Sequence, residues 1–335
     1  MITVSIIIPC RNEEDFIAGC LDSILDNNRD LHSEMEILVV DGMSEDETRK
    51  IVSRYTEQYP FIRLVDNPRL IAAAALNIGI REARGDIIIR LDAHTVYSRD
   101  YIIKSMEYLK KYDAANVGGI IKTLPRNDTL IAKAIALSIS HIFGVGRSFF
   151  RIGNKENRYA DTVPFGCFRR DIFNKIGYFN EEQPRNEDIE FNARIRKAGE
   201  KILLSPEIVS YYYARGTLKE FWKHNFDNGY RVTNPLSSCM KFHSARHIAP
   251  LVAFTLLACL LILSFWNPSI WYLIVILFAA YLVANLFFSV RIAAHEKRLV
   301  YAFIMPVIFV FLHLGYAAGS MWGLITGIFS KEKQR

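Results

Sequence analysis

An α/β domain built on a parallel sheet, followed by a C-terminal part made of transmembrane helices, is the architecture this sequence predicts. Three observations lead there. Short apolar runs alternate with helical patterns over the first hundred residues, the alternation stops after Gly118-Gly119, and no Asp, Glu, Lys or Arg occurs between Ile248 and Val290. Strands alternating with helices mark a parallel sheet covered by helices on both faces. The uncharged run is about twice the ~20 residues that cross a bilayer.

In chain order, Val4–Ile8 is continuously apolar, as a buried parallel strand is. Pro9-Cys-Arg-Asn-Glu-Glu14 leads into a helix with Phe16, Ile17, Cys20, Leu21, Ile24 and Leu25 on one face. Glu36–Val40 reads as the second strand, followed by Asp41-Gly-Met-Ser-Glu-Asp46 and a helix through Tyr55. Phe61–Val65 is the third strand, Ala72–Ala83 a helix and Asp86–Leu91 the fourth strand. Beyond Gly118-Gly119, Thr129–Phe143 has helical apolar spacing, and Phe149-Phe150 sit among Arg147, Arg151, Lys155 and Arg158. That segment reads either as a membrane-surface element or as a helix packed on the sheet. Asp188–Ala198 is helical and ended by Gly199, Leu203–Ile208 is a short strand, and Leu218–Val232 is the last helix before the membrane part. The expected division is 1–235 for the α/β domain and 236–335 for the membrane domain.

Asn267-Pro268 interrupts the uncharged run, with Trp266, Trp271 and Tyr272 bracketing the break as interfacial aromatics do. A helical hairpin over about 248–266 and 270–290 follows, with a third hydrophobic segment over 299–329. Lys241 and Arg246 precede the hairpin and Arg291, Lys297 and Arg298 follow it, while its tip is uncharged. The positive-inside rule then puts the N-terminal domain in the cytoplasm of a multi-pass cell-membrane protein. Lys331, Lys333 and Arg335 conflict with a third full span, so the last segment is either re-entrant or interfacial, or carries a short basic tail across. Its Gly315, Gly319, Gly323 and Gly327 share a helix face that allows close packing, against the hairpin or a second copy of the chain.

The first nine residues read as a strand rather than a signal peptide. Cys10, Cys20, Cys167, Cys239 and Cys259 show no C-x-x-C spacing, which suggests neither a zinc site nor a disulfide framework and suits a reducing compartment. The net charge of +6 lies largely near the membrane region, which argues against nucleic-acid binding.

Open α/β sheets present their ligand-binding residues at the carboxyl ends of strands. Asp92 and His94 flank one residue at the end of the fourth strand, so both side chains can address one divalent cation. An Asp-held cation is a usual partner for a diphosphate. An imidazole suits Mn²⁺ better than Mg²⁺. As a plain alternative, Asp92 is a strand-end turn residue and His94 a satisfied histidine. Asp41, ending the second strand, can accept hydrogen bonds from a nucleobase or simply shape a turn before Gly42; Asp46 and Glu13 are lesser candidates. Arg11 can meet phosphate or pair with a neighbouring acid. Asn186-Glu187-Asp188 can cap a helix, or Asp188 can serve as a general base, with Glu187 or burial raising its proton affinity against the helix dipole.

These motifs resemble family 2 glycosyltransferases of the GT-A fold, a Rossmann-like nucleotide-sugar-binding architecture. The resemblance covers residue 3 to about 235 and rests on Ser5-Ile-Ile-Ile-Pro-Cys-Arg-Asn-Glu13, Val39-Val-Asp-Gly-Met-Ser-Glu-Asp46, Asn77-Ile-Gly79, Leu91-Asp-Ala-His94 and Glu187-Asp188. Within the family the chain is most similar to the succinoglycan-biosynthesis glucosyltransferase group, through Leu76-Asn-Ile-Gly-Ile80, Asp92-Ala-His94, Val117-Gly-Gly119, Gly144-Val-Gly146, Asp161-Thr-Val163 and Tyr212 through Gly229-Tyr-Arg231. It implies an inverting enzyme that uses a nucleotide-diphospho sugar, a UDP-sugar being the expected donor. It implies that Pro9, Glu13 and Asp41 line the nucleotide pocket, that Asp92 and His94 occupy the motif for a Mn²⁺ or Mg²⁺ ion, and that Asp188 is the base; Arg11 and Asp92 complete the candidate donor-binding set, and Glu187 joins Asp188 as a catalytic candidate. Arg215, Trp222, Tyr230 and Arg231 fall to the acceptor or membrane-proximal region. His94 stands where much of the family has a second Asp. The Gln-x-x-Arg-Trp motif of processive synthases is absent, the region reading Trp222-Lys-His-Asn-Phe-Asp-Asn-Gly-Tyr-Arg231, so addition of one sugar is expected. The expected acceptor is a lipid-linked saccharide in exopolysaccharide or surface-glycan assembly. The alternatives are transfer to polyprenyl phosphate and, outside enzymes, an inactive sugar-nucleotide-binding assembly subunit.

Overall fold

In the computed structural model, residues 2–182, 187–233 and 245–332 are described. Asn186, Cys239, Lys241, Lys333 and Arg335, which figure in the expectations above, lie outside them.

The first half follows the alternation: β1 (Val4–Cys10), α1 (Ile17–Leu25), β2 (Met35–Asp41), α2 (Thr48–Gln58), β3 (Ile62–Asp66), α3 (Ala72–Glu82) and β4 (Ile87–Arg90). Then come β5 (Thr95–Tyr97), α4 (Tyr101–Lys111), β6 (Asn116–Leu124), α5 (Leu130–Ile139), α6 (Ile142–Val145), α7 (Phe149–Ile152), β7 (Arg158–Tyr159), β8 (Cys167–Arg169) and α8 (Asp171–Ile176). The chain continues through α9 (Glu187–Lys197), β9 (Ile202–Tyr213), α10 (Leu218–Thr233), α11 (Ala245–Leu263), α12 (Ile270–His295) and α13 (Val300–Glu332).

The sheet runs β3-β2-β1-β4-β8-β6-β9-β5, with β7 on β9. β3, β2, β1 and β4 are mutually parallel, as expected. The remaining described pairings, β4 with β8, β6 with β8, and β9 with β5 and β7, are antiparallel, so the sheet is mixed. Because β1 has β2 on one side and β4 on the other, the strand order reverses at β1, and loops leaving β1 and β4 must open a crevice at their carboxyl ends.

Packing divides the described chain into two units: Met1–Lys122 with Phe149–Tyr213, and Thr123–Ser148 with Ala214–Arg335. In the first, alternate residues of β1 and β4 face opposite layers, as the two-residue period of a strand requires. Ile6, Ile8 and Ile89 meet Ile17, Leu21 and Ile24 of α1. Ile7 and Ile88 meet Leu76 and Ile80 of α3 and a ring cluster of Phe168, Phe173, Phe179 and Phe191. Gly79 lets α3 approach the sheet, since a Cβ there would lie 2.5 Å from Ile7 Cγ2. Of the two readings for the basic aromatic stretch, the structure takes the packed one: Phe149 and Phe150 join the sheet's core, and the Arg158 guanidinium covers the Phe149 ring at 3.6 Å.

In the second unit, α5 packs with α10, α12 and α13 through Ile135, Phe221, Ile292, Met305 and Phe309. Among the described residues, two helices are long and apolar enough to cross a membrane: Ile270–His295, and Val300–Gly327 within α13. Only 17% of the apolar window of the former is buried, leaving Val275, Ile276, Phe278 and Val283 exposed as a lipid-facing helix would. The apolar part of α11, Ile248–Leu263, is shorter. At 1.5 Å per residue it falls short of the ~30 Å hydrocarbon core, where the hairpin reading expected a span. The last segment is one continuous helix across Pro306.

At Gly315 and Gly319 the glycine face of α13 meets α10 of the same unit. A Cβ on Gly319 would lie 1.9 Å from the Phe226 carbonyl oxygen, and one on Gly229 of α10 would lie 2.0 Å from that of Tyr316. Gly319→Val should therefore force the two backbones apart. Overpacking of this kind costs about 1–3 kcal/mol, so a lower melting temperature in detergent is the expected result. An unchanged melting curve would show that α10 does not hold this position.

Candidate functional site

The loops leaving β1 and β2 are joined by reciprocal hydrogen bonds. The Asn12 amide donates to Ser44 Oγ (2.9 Å) while the Glu45 amide donates to Asn12 Oδ1 (2.9 Å), and the Glu13 amide donates to Thr48 Oγ1 (2.8 Å). Asn12 adopts φ 53°, a left-handed conformation that Asn tolerates better than most residues. Asp41, fully buried at the end of β2, organises this edge. Its carboxylate accepts from Arg49 Nη1 (2.7 Å), the Ser44 amide (3.0 Å) and Ser44 Oγ (2.5 Å). Arg49 also reaches Asp66 at the end of β3 (2.8 Å). Asp41 is therefore already engaged by its own loop. Pro9 lies within β1 opposite Val40, and Arg11 is exposed beside Gly42.

The fourth strand brings the second set of groups. Leu91 and Ala93 are buried while Asp92 and His94 are part-exposed, at 23% and 42% for the side chains. The alternation that puts both on one face is thus present, although they lie in the turn between β4 and β5. Buried Tyr97 holds the turn: the Asp92 amide donates to Tyr97 Oη at 2.7 Å. His94 Nδ1 meets Glu13 Oε1 at 3.0 Å, across the β1/β4 switch point. The side chain of Arg90 extends the site further, its Nη2 lying 3.2 Å from Asp92 Oδ1 and 3.0 Å from Glu187 Oε1.

Glu187 opens α9 and its side chain is only 7% exposed. Burial pushes its carboxyl above the usual carboxylate range, and the Arg90 guanidinium pulls it back down. Asp188 beside it is half-buried, and its Oδ1 accepts from the Ile189 amide at 2.9 Å. That bond satisfies one of the unpaired donors of a helix's first turn. Upstream, Asn77 of α3 holds the segment at 179–181. Its Nδ2 donates to the Phe179 carbonyl (2.9 Å) and Glu181 Oε1 (2.8 Å), while its Oδ1 accepts from the Phe179 amide (2.9 Å). Arg69 binds the other oxygen of Glu181. Asn77→Ala would leave the buried Phe179 amide unpaired at about 1–3 kcal/mol. A drop in melting temperature and faster amide exchange at Phe179 are expected; unchanged exchange would contradict that role.

The donor set bears on the expected cation. A carboxylate oxygen from Asp92 and an imidazole from His94 suit Mn²⁺. An imidazole whose other nitrogen donates to a carboxylate, as Nδ1 does toward Glu13, is how ligating histidines are commonly oriented. No cluster of three or more His, Cys, Asp or Glu side chains able to hold a metal occurs among the described residues. Asp92 and His94 would suit a divalent cation that also takes oxygen ligands from outside the protein.

Arg215, exposed after β9, and Trp222, Tyr230 and Arg231 on α10 belong to the second unit, where Trp222 packs edge-on against Phe311. The sequence reading passed over Arg90, whose signal is a lone charge closing the run Ile87-Ile-Ile-Arg90. It also passed over Arg49 and Tyr97.

The family profile described as glycosyl transferase family 2 matches residues 5–177. A dolichyl N-acetyl-α-D-glucosaminyl phosphate 3-β-D-2,3-diacetamido-2,3-dideoxy-β-D-glucuronosyltransferase of Methanococcus voltae is 33% identical over 236 residues, covering 68% of this chain and 71% of that protein. The succinoglycan biosynthesis protein ExoA of Rhizobium meliloti is 29% identical over 249 residues, covering 69% and 74%. Among solved structures, the mannosyltransferase PcManGT from Pyrobaculum calidifontis, in complex with GDP-Man and Mn²⁺, superposes with a TM-score of 0.59 at 20% identity, covering 95% of this chain and 87% of that one. At that identity the likeness is one of fold.

Proposed function

The chain belongs to glycosyl transferase family 2, and we propose that it is a membrane-anchored inverting enzyme moving one sugar from a nucleotide-diphospho sugar to a lipid-linked saccharide. The observation that carries this reading is the meeting of Glu13 with His94, and of Asp92 with Glu187 through Arg90, at the switch point of the sheet. The loops at 9–14 and 41–48 form the donor's edge, with Pro9, Arg11, Glu13 and Asp41. Asp92 and His94 would hold a divalent cation, which supplies positive charge to the diphosphate when bound.

Asp188 takes the proton from an acceptor hydroxyl as its oxygen bonds to the anomeric carbon. The bond from that carbon to the diphosphate breaks on the opposite face, and the nucleoside diphosphate leaves with the electron pair. Burial of Glu187 against Arg90 fixes the first turn of α9, from which Asp188 projects. The two candidate spans anchor the chain in the membrane. Arg291, Lys297 and Arg298 beside them favour a multi-pass arrangement with residues 1–235 in the cytoplasm. Arg215, Trp222, Tyr230 and Arg231 are assigned to the acceptor side of the bilayer surface.

The activity in the name of the Methanococcus relative, addition to a dolichyl-phosphate-linked sugar, supports a lipid-linked saccharide over bare polyprenyl phosphate. The name of the Rhizobium relative supports exopolysaccharide assembly. The deciding experiment incubates the full chain in detergent with a panel of nucleotide sugars, manganese and lipid-linked acceptors. Label should move from a UDP-sugar to the lipid-linked saccharide, and mild acid should release it as a di- or oligosaccharide because the new glycosidic bond survives. Release of the label as a free monosaccharide would mean transfer to polyprenyl phosphate instead. Nucleotide binding without transfer or donor hydrolysis would mean an assembly subunit.

A further inference from the structure

A guanidinium buried between two carboxylates from distant parts of a chain does more than balance charge when one nitrogen serves both. Arg90 closes β4, and its Nη2 lies 3.0 Å from Glu187 Oε1 and 3.2 Å from Asp92 Oδ1. Asp92 leaves the sheet two residues later, whereas Glu187 opens a helix nearly a hundred residues on. The Arg90 side chain is 13% exposed, and its Nε and Nη1 are buried without a hydrogen-bond partner. Most buried polar atoms find partners, so a geometry that concentrates the arginine's bonding on one nitrogen is unusual. That nitrogen sets the separation of the two carboxylates.

The surroundings add rigidity on both sides. Asp92 is pinned through its amide by Tyr97, and its carbonyl lies 3.6 Å from Cys20 Sγ. On the other side, α9 is tied to the preceding loop by Arg194. This residue grips Glu190 on its own helix and donates to the carbonyls of Ile176 and Tyr178. Asp92 is tied to the sheet and Glu187 to the helix, and Arg90 is the charged link between the two.

We propose that Arg90 is a positioning residue that aligns Asp92 with the first turn of α9, so that the donor's diphosphate and the acceptor's base are presented together. This rests on the function proposed above. Its consequence is separable from stability, because the link to Asp92 should govern how much manganese improves nucleotide binding, whereas a purely structural ion pair would not change that increment.

The test measures binding of UDP and GDP to the full chain in detergent by calorimetry, with and without manganese, beside melting temperature. The proteins are wild type, Arg90→Met, Glu187→Gln and the double variant. Arg90→Met should lower the melting temperature, because it leaves Glu187 buried and unpaired, and should reduce the manganese-dependent gain in affinity about tenfold or more. Glu187→Gln keeps the Arg90–Asp92 contact and should keep that gain. The double variant removes both buried charges, so its melting temperature should recover while the gain stays lost. If the single variant does not fold, the double variant still carries the test. A double variant with the wild-type manganese gain would overturn the positioning role. A wild type that binds neither nucleotide overturns the proposed function first, and the inference with it.

Discussion

Asp188→Asn should abolish turnover while leaving donor binding and stability near wild type. The variant keeps an oxygen able to accept from the Ile189 amide, the bond Asp188 Oδ1 makes at 2.9 Å, so the first turn of α9 remains satisfied. What it loses is the capacity to take a proton. Removing a general base typically costs on the order of 10²–10⁴ in rate, whereas removing a helix cap costs about 1 kcal/mol of stability. The two roles therefore diverge in one protein. A variant that turns over normally, with its melting unchanged because the Asn oxygen still accepts from the Ile189 amide, would make Asp188 a cap. One with normal melting, intact nucleotide binding and collapsed kcat would make it the base, and this second pattern is expected. The neighbouring carboxyl does not replace it: Glu187 is buried and paired with Arg90.

The parallel half of the sheet was legible because its strands are buried on both faces and so read as unbroken apolar runs, Val4–Ile8 being the clearest. The turn after β4 was legible for a related reason, since Leu91 and Ala93 bury while Asp92 and His94 do not. The antiparallel half was not. β5, β7 and β8 span three, two and three residues, too few for any period to appear, and their partners lie far away in sequence. β9 extends to Tyr213, beyond the Ile208 expected. Pro206 breaks the pattern, and Tyr211–Tyr213, only partly buried or exposed, lack the apolar signature. Arg90 illustrates the limit at the site itself. Its charge is visible, but its partner Glu187 is distant in the chain, and nothing local marks the pairing. The glycine spacing of α13 announced close packing and pointed to the hairpin or a second copy, whereas at Gly315 and Gly319 the neighbour is α10 in the same unit, whose own sequence carries no matching repeat.

Asp92→Ala should eliminate manganese-dependent donor binding and turnover together while leaving the fold in place. Asp92 is part-exposed, and its backbone anchors, Tyr97 Oη and Cys20 Sγ, do not involve the lost carboxylate. Melting should therefore change little, apart from the loss of one contact to Arg90. His94→Asp separates ligand from scaffold. It exchanges the imidazole for an oxygen ligand, which favours Mg²⁺ relative to Mn²⁺. It also removes the Nδ1 contact to Glu13 and sets two carboxylates against each other across the switch point. A bound cation would offset that repulsion; without one, the like charges destabilise the site. The variant should thus retain activity, with its preference moved toward Mg²⁺, and its melting temperature should rise on adding metal more than that of wild type. Equal metal preference in the two proteins would place His94 outside the cation's ligands, as an orienting partner of Glu13. Full activity of Asp92→Ala in excess chelator would remove the cation from the reaction altogether.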